Sequence, residues 1–209
     1  MKLTSDSFPD GAAIPIEFAL GAPDPESHVT FSSNRNPHLR WSDPPDGTRS
    51  FALFCHDPDA PTVADDANQE GRSVPHDLPR GDFFHWVLVD IPSDAREIAE
   101  GAVSDEVTPR GKSPGRTPVG RTGRNDYTSW FAGDAQMEGV YGGYDGPGPP
   151  WNDERIHRYY FRVHALDVPA LDLPDSFGGP QAREAMKGHV LATAEWMGTY
   201  TLNPDVRED

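Results

Sequence analysis

Phe51-Ala52-Leu53-Phe54-Cys55-His56-Asp57-Pro58-Asp59-Ala60-Pro61 is the stretch whose reading decides the fold. Its first half is a short apolar run of strand length, the pattern of a strand buried on both faces. Its second half reads as a turn. Pro58 has no ladder donor and biases Asp57 away from helix, so the strand is expected to stop at Asp57-Pro58. Two other runs bring imidazoles to similar places. Phe83 to Ile91 reads as a strand closed by Pro92, and simple alternation puts His85 on a face with Val87 and Val89. In the run His157 to Leu166, residues His157, Tyr159, Phe161 and Val163 share one face; Arg158, Tyr160, Arg162 and His164 take the other. A single histidine on a core-like face is ordinarily satisfied by a carbonyl. Two of them at strand ends, beside a turn carrying two carboxylates, point to a polar pocket at one edge of a sheet.

The chemistry of such a pocket follows from its residue types. Histidines donate hydrogen bonds, two when protonated, and a neighbouring carboxylate raises their pKa. Gly146 and Gly148, in the Gly- and Pro-rich stretch 139–150, would let backbone amides approach an anion. Tyr141 and Tyr144 supply hydroxyls or packing. The candidate ligand-binding set is therefore Asp57, His85, Gly146, Gly148, His157 and Tyr159. Pro58, Asp59 and Pro61 form the turn, with Asp59 assigned to local backbone bonds. No cofactor, metal or catalytic residue is expected. A metal-dependent hydrolase is the alternative from another class, since two histidines and two aspartates are suitable ligands; no HExxH-like helical pair supports it.

The bulk of the chain bounds the rest. A length of 209 residues suits one domain, and 20 glycines with 22 prolines suit a β-rich fold with shaped loops. The formal net charge is −16, and Lys2, Lys112 and Lys187 are the only lysines. An acidic, lysine-poor surface is the pattern of a halophile's protein. It argues against nucleic acid or an anionic membrane as partner. Cys55 is alone in an apolar run, so no internal disulfide forms and a buried hydrophobe is expected. No stretch approaches the roughly 20 apolar residues of a membrane span and no signal peptide is evident, which leads to an expected cytoplasmic location.

Residues 62–82 are polar and read as an insertion loop, either a lid or a solvated surface. Residues 110–124 hold Arg110, Lys112, Arg116, Arg121 and Arg124 with no acid, a run that would guide an anion or pair with nearby carboxylates. Within it, Gly111-Lys112-Ser113-Pro114-Gly115 matches a nucleophile elbow, and 115–122 nearly matches a P-loop. Both lack the preceding strand and are interrupted by proline, so neither is accepted. Either loop would serve a protein-interaction module, a third possibility. Pro180 to Met197 reads as a C-terminal helix closed by Gly198, followed by a last strand at 198–202 and a frayed tail at 203–209.

Asp-Pro-Asp-Ala-Pro (57–61), FFHWVLVDIP (83–92), GRND (123–126), YDGPGPP (144–150), HRYYFRVHALD (157–167) and AMKGHVLATAEWMGTY (185–200) together resemble the phosphatidylethanolamine-binding protein family, closest to its bacterial and archaeal Raf-kinase-inhibitor-like branch. The resemblance implies a mainly β, antiparallel β-sandwich with Greek-key connections and one or two peripheral helices. It implies a non-catalytic protein whose aspartate, two histidines, tyrosine and glycine-rich loop accept a small anion or phosphorylated head group. Kinase- or protease-regulating roles are attributed to some members, so a protein partner is also implied. Cis peptide bonds around the 57–61 prolines are implied as well. The stretch Asp153-Glu154-Arg155-Ile156 departs from the family's usual glycine before the His-Arg-Tyr histidine.

The dispersed acids repel one another in dilute buffer and are screened in strong salt. The melting temperature should therefore rise steadily with added KCl. A melting temperature indifferent to salt in calorimetric scans would sink the high-salt reading.

Overall fold

The computed structural model describes residues 1–206. In chain order its elements are β1 (Lys2–Thr4), β2 (Gly21–Asp24), β3 (His28–Phe31), β4 (Leu39–Ser42), β5 (Ser50–Pro61), β6 (Arg80–Pro92), β7 (Glu97–Ile98), β8 (Gly115–Thr117), β9 (Gly120–Thr122), α1 (Tyr127–Trp130), β10 (His157–Leu166), α2 (Gly179–Ala185) and β11 (Val190–Tyr200). Six strands form one sheet in the order β11-β10-β5-β6-β9-β8, with every neighbouring pair antiparallel. β10 returns over a long connection to lie beside β5, which gives the Greek-key order around the β5–β6 hairpin. A smaller sheet, β1-β4-β7, covers one face. Leu3, Leu39, Trp41 and Ile98 from it pack on Phe51, Leu53, Trp86 and Phe161. The fold is the expected antiparallel β-sandwich.

The opposite face of the large sheet has its own apolar layer. Ala52, Phe54, Phe84, Val87 and Val89 are covered by Leu166, Leu171, Phe177 and two α2-region residues, Ala182 and Met186. Cys55 is fully buried and free. Residues 115–122, the near P-loop, form the β8–β9 hairpin, and the single-turn α1 begins only at Tyr127, so the loop does not open a helix.

Several local expectations are overturned. β5 does not stop at Asp57-Pro58 but runs on to Pro61. Its register against β6 breaks between Asp57 and Ala60, so Pro58 falls where no ladder donor is needed. The described residues contain no cis peptide bond, contrary to the implied ones around 57–61. A second break sets Cys55 opposite Trp86 and His56 opposite Phe84, leaving His85 as the extra residue of a β-bulge. The bulge turns His85 away from the face of Val87 and Val89 and toward the side of Asp57.

The long C-terminal helix is also corrected. The helix is only Gly179–Ala185, and Gly188 (φ +82°) ends that region in a left-handed turn. Residues 190–200 then pair with β10 along its whole length. The β-branched and aromatic residues Val190, Thr193, Trp196, Thr199 and Tyr200 fit a strand, and a cross-strand partner decided what helical spacing left ambiguous. Gly198 is therefore no helix stop but a strand residue opposite Tyr159. The start of the tail is anchored as well, because the Asn203 side chain donates to the Asp153 carbonyl at 2.8 Å. Residues 207–209 of the predicted tail lie outside the described residues.

At Gly198 a Cβ would stand 2.4 Å from Ile14 Cγ1 and 2.8 Å from Phe8 Cε2. Gly198→Ala should force the N-terminal segment off β11 and destabilise by about 1–3 kcal/mol. Urea unfolding of the variant would show it as a lower midpoint with an unchanged slope.

Candidate functional site

Alternation on two neighbouring strands, plus the bulge, assembles the site. Asp57 from β5, His85 from β6, and His157 and Tyr159 from β10 all reach the wall of one cleft. Phe83, Tyr127, Trp130, Pro149 and Pro150 add apolar wall, and the cavity volume is about 30 Å³. Gly148 lines it too. Of the predicted set, Asp57, His85, Gly148, His157 and Tyr159 share the cleft wall and Gly146 does not, and their hydrogen bonds give several of them different roles.

His157 is held between two carboxylates. Its Nδ1 lies 2.6 Å from Asp57 Oδ2 and its Nε2 lies 3.0 Å from Asp153 Oδ2. Two acceptors demand two donors, which only the imidazolium supplies. Burial opposes the charge, but Asp57 and Asp153 outweigh it and raise the His157 pKa to about 9. Asp153 in turn takes a bidentate ion pair from Arg80, through Nη1 at 2.5 Å and Nη2 at 2.9 Å. Burial works against the Asp153 carboxylate, and the bonds from His157 and Arg80 hold its pKa below the usual range. The result is a buried chain of alternating charge: Arg80, Asp153, His157, Asp57. Neither nitrogen of His157 is left to bind a guest, so its predicted role as a direct ligand is corrected. It serves instead as the fixed cation behind the wall.

Asp57, on the cleft wall, also takes the local bond assigned to Asp59. Asp57 Oδ1 accepts the local bond from the Asp59 amide at 2.7 Å. Asp59, predicted to do that, is instead a buried ion-pair centre. It accepts from Arg158 Nε at 2.8 Å, from Arg158 Nη2 at 2.9 Å and from Arg155 Nη1 at 3.2 Å. Burial would raise its pKa, but Arg158 and Arg155 bring it down to about 2.

His85 is the opposite of His157. Its Nδ1 donates to the carbonyls of Asp145 at 2.9 Å and Gly146 at 3.1 Å. Burial is the largest influence and pulls its pKa below the ordinary value, against Asp57 and the two carbonyls. Nε2 of this neutral ring therefore carries a bare lone pair, with no hydrogen-bond partner among the described residues. Tyr127 and Tyr159 stand edge-on to the ring at 5.3 and 5.1 Å. The Tyr159 hydroxyl is buried and has no partner.

The glycine loop is fixed by polar bonds that the sequence did not announce. The Gly146 amide is taken by Asn34 Oδ1 at 2.8 Å, and its carbonyl by Tyr127 and His85, so it has nothing to offer an anion. The Gly148 amide makes no hydrogen bond among the described residues and keeps its predicted part. Tyr141 and Tyr144 spend their hydroxyls on the carbonyls of Met137 and Phe18. Asp145 organises the loop: its carboxylate accepts from Asn34 at 2.8 Å, Asn125 at 2.8 Å and Lys112 at 2.7 Å. Lys112 of the basic run is thus a structural partner, and Arg121 likewise caps the carbonyls of Leu173 and Pro174. The 62–82 loop is tied beside the cleft by Asn152, which donates to the Asp66 and Arg72 carbonyls and accepts from the Asn68 amide. Asp153, four residues before His157, was visible in the sequence only as a departure from the family pattern.

A two-sheet antiparallel sandwich with this polar cup beside the β5–β6 hairpin defines a recognisable class. The chain belongs to the phosphatidylethanolamine-binding protein family, whose profile matches residues 4–201. UPF0098 protein YbhB of Escherichia coli is 32% identical over 195 residues, covering 93% of this chain and 96% of its own. A UPF0098 protein of Methanothermobacter thermautotrophicus is 30% identical, covering 96% of this chain and 98% of that one. Among solved structures, a putative phosphatidylethanolamine-binding protein homologue from Chlamydia trachomatis superposes with a TM-score of 0.63 at 28% identity, covering 100% of this chain and 97% of that one. E. coli YbcL shares the fold at a TM-score of 0.68 and 24% identity, covering 96% and 97% of the two chains.

The charge on His157 makes stability depend on pH. A free imidazole titrates near 6.5 and His157 near 9, so between them the folded protein holds a proton that the unfolded chain has released. The stabilisation from this group is complete below pH 6.5 and disappears as pH rises through 9. Asp153→Asn should destabilise at neutral pH by on the order of 3 kcal/mol and move that decline to lower pH. Urea midpoints across the window, for both proteins, check the direction.

Proposed function

We propose that the cleft binds a small phosphate-class anion, free or as a phosphorylated head group, and that the protein works by binding rather than by catalysis. The observation that carries this reading is Tyr159, whose side chain lines the cleft and whose buried hydroxyl has no partner among the described residues. A buried hydroxyl left unsatisfied costs about 1–3 kcal/mol, and a guest oxygen would recover it. The Gly148 amide offers a second donor. His85 Nε2 accepts rather than donates, so the favoured guest carries its own proton, as hydrogen phosphate or a monoprotonated phosphate ester does. Asp57 lines the cleft too, with its charge offset by His157 and its oxygens turned to bonds within the fold.

The hydrolase alternative has less support. A metal would have to take His157 from Asp57 or Asp153, and among the described residues no group of three or more His, Cys, Asp or Glu side chains is disposed to hold one. Any regulation of a kinase or protease would act through occupancy of the same cup. A cytoplasmic location is part of the same proposal. Among the described residues no helix is long and apolar enough to cross a membrane.

Titration calorimetry with inorganic phosphate tests the reading. Affinity should change little above the ordinary histidine range near 6.5, with no net proton uptake in buffers of different ionisation enthalpy, because hydrogen phosphate brings its own proton. Tyr159→Phe should weaken binding roughly tenfold, and His85→Ala, which removes the acceptor, should weaken it too. Equal binding in the wild type and both variants would exclude the cleft.

A further inference from the structure

The same alternation that sends Asp57, His157 and Tyr159 inward sends another set outward. His56 and Pro58 of β5, Asp82 of β6, Arg158, Tyr160, Arg162 and His164 of β10, and Arg183 of α2 line a concavity on the far face of the large sheet. Its volume is about 580 Å³. Three guanidinium groups meet here in a chain of net charge −16.

These arginines are positioned but not used up. Arg162 donates Nε to Glu195 at 2.5 Å and Nη1 to His56 Nε2 at 3.2 Å, and its plane lies over the Tyr160 ring at 4.9 Å. Arg183 pairs with Asp82 through Nη1 and lies over Phe84 at 4.5 Å. Nη2 of Arg162, and Nε and Nη2 of Arg183, have no hydrogen-bond partner among the described residues. Arg158 is tied to buried Asp59. Guanidinium groups held over aromatic rings, with donors still free, are preorganised for an oxyanion.

The two histidines register the field. Arginine only donates, so His56 Nε2 is an acceptor and its ring is neutral. Burial first, then Arg183 and Arg162, lower the His56 pKa to about 3. Burial first, then Arg162 and Arg183, lower that of His164 to about 4. The acids facing the space are Asp82 and Glu195, with Asp59 shared between Arg155 and Arg158.

From this geometry we infer a second oxyanion site, back to back with the first, in which Arg162 and Arg183 grip a phosphate-class group and Arg158 and Tyr160 border it. It does not rest on the function proposed for the inner cleft. It takes free phosphate or the terminal group of a phosphomonoester, the chemistry that matches the forked donors.

The test is an NMR titration of His85→Ala protein, full chain, at low ionic strength. Inorganic phosphate in one arm and glycerol 1-phosphate in the other distinguish a free from an esterified guest. Ring signals of His56 and His164 should shift saturably in at least one arm and not with NaCl of equal ionic strength. Arg162→Gln/Arg183→Gln should abolish the shifts. Glu195→Gln, which releases Arg162, should tighten binding roughly two- to fivefold and guards against a charge-depleted double variant that fails to fold. Shifts reproduced by NaCl, absent in both arms, or unchanged in Arg162→Gln/Arg183→Gln would overturn the assignment, as would weaker binding in Glu195→Gln.

Discussion

The rest of the structure depends on a proton buried on His157. That proton lets one ring donate to Asp57 of β5 and to Asp153 of the segment preceding β10. Asp153 then secures Arg80 at the start of β6, and Arg80 also holds the Asp59 and Pro75 carbonyls. Three stretches of chain, β5, the start of β6 and residues 153–157, are thus fastened by one run of alternating charges. Removing any member would leave an uncompensated buried charge, which is why such a chain specifies geometry more than it adds net stability.

The strands were legible because their signal is local. The apolar cores of β5, β6 and β10 are continuous or alternate cleanly, and the face assignment of His157, Tyr159, Phe161 and Val163 holds through β10. What was not legible depends on partners far away in sequence. Residues 190–200 carry a helix-compatible spacing, and only the free edge of β10 makes them a strand. The extra residue at His85 cannot be read from alternation, which predicts the wrong face; it exists because β5 and β6 are out of step at that point.

The membership of the site was legible, and the division of labour within it was not. Acid, imidazole and phenol at strand ends are visible as residue types. Whether a given atom is free depends on bonds to Asp153, Asp145, Asn34 and Tyr127, none of which carries a motif. The two histidines illustrate the point. Both are buried, yet His157 meets carboxylates and His85 meets carbonyls. Carboxylates stabilise the cation strongly enough to overcome burial; carbonyl dipoles do not. Identical side chains on the two strands that flank β5 thus end one charged and one neutral, with different hydrogen-bonding sense.

The opposed titrations also define how the two faces of the sheet are linked. Asp57 points inward and Asp59 anchors Arg158 of the outer face, while the Asp59 amide donates to Asp57 Oδ1. On β10, His157 and Tyr159 alternate with Arg158 and Tyr160. A shift of the 57–59 segment on one side therefore moves a charged partner on the other, with no intervening loop to absorb it. The register of β5 against β6 breaks on either side of Asp57. The ladder is interrupted there by the prolines and the bulge, and the buried charges hold what the ladder does not.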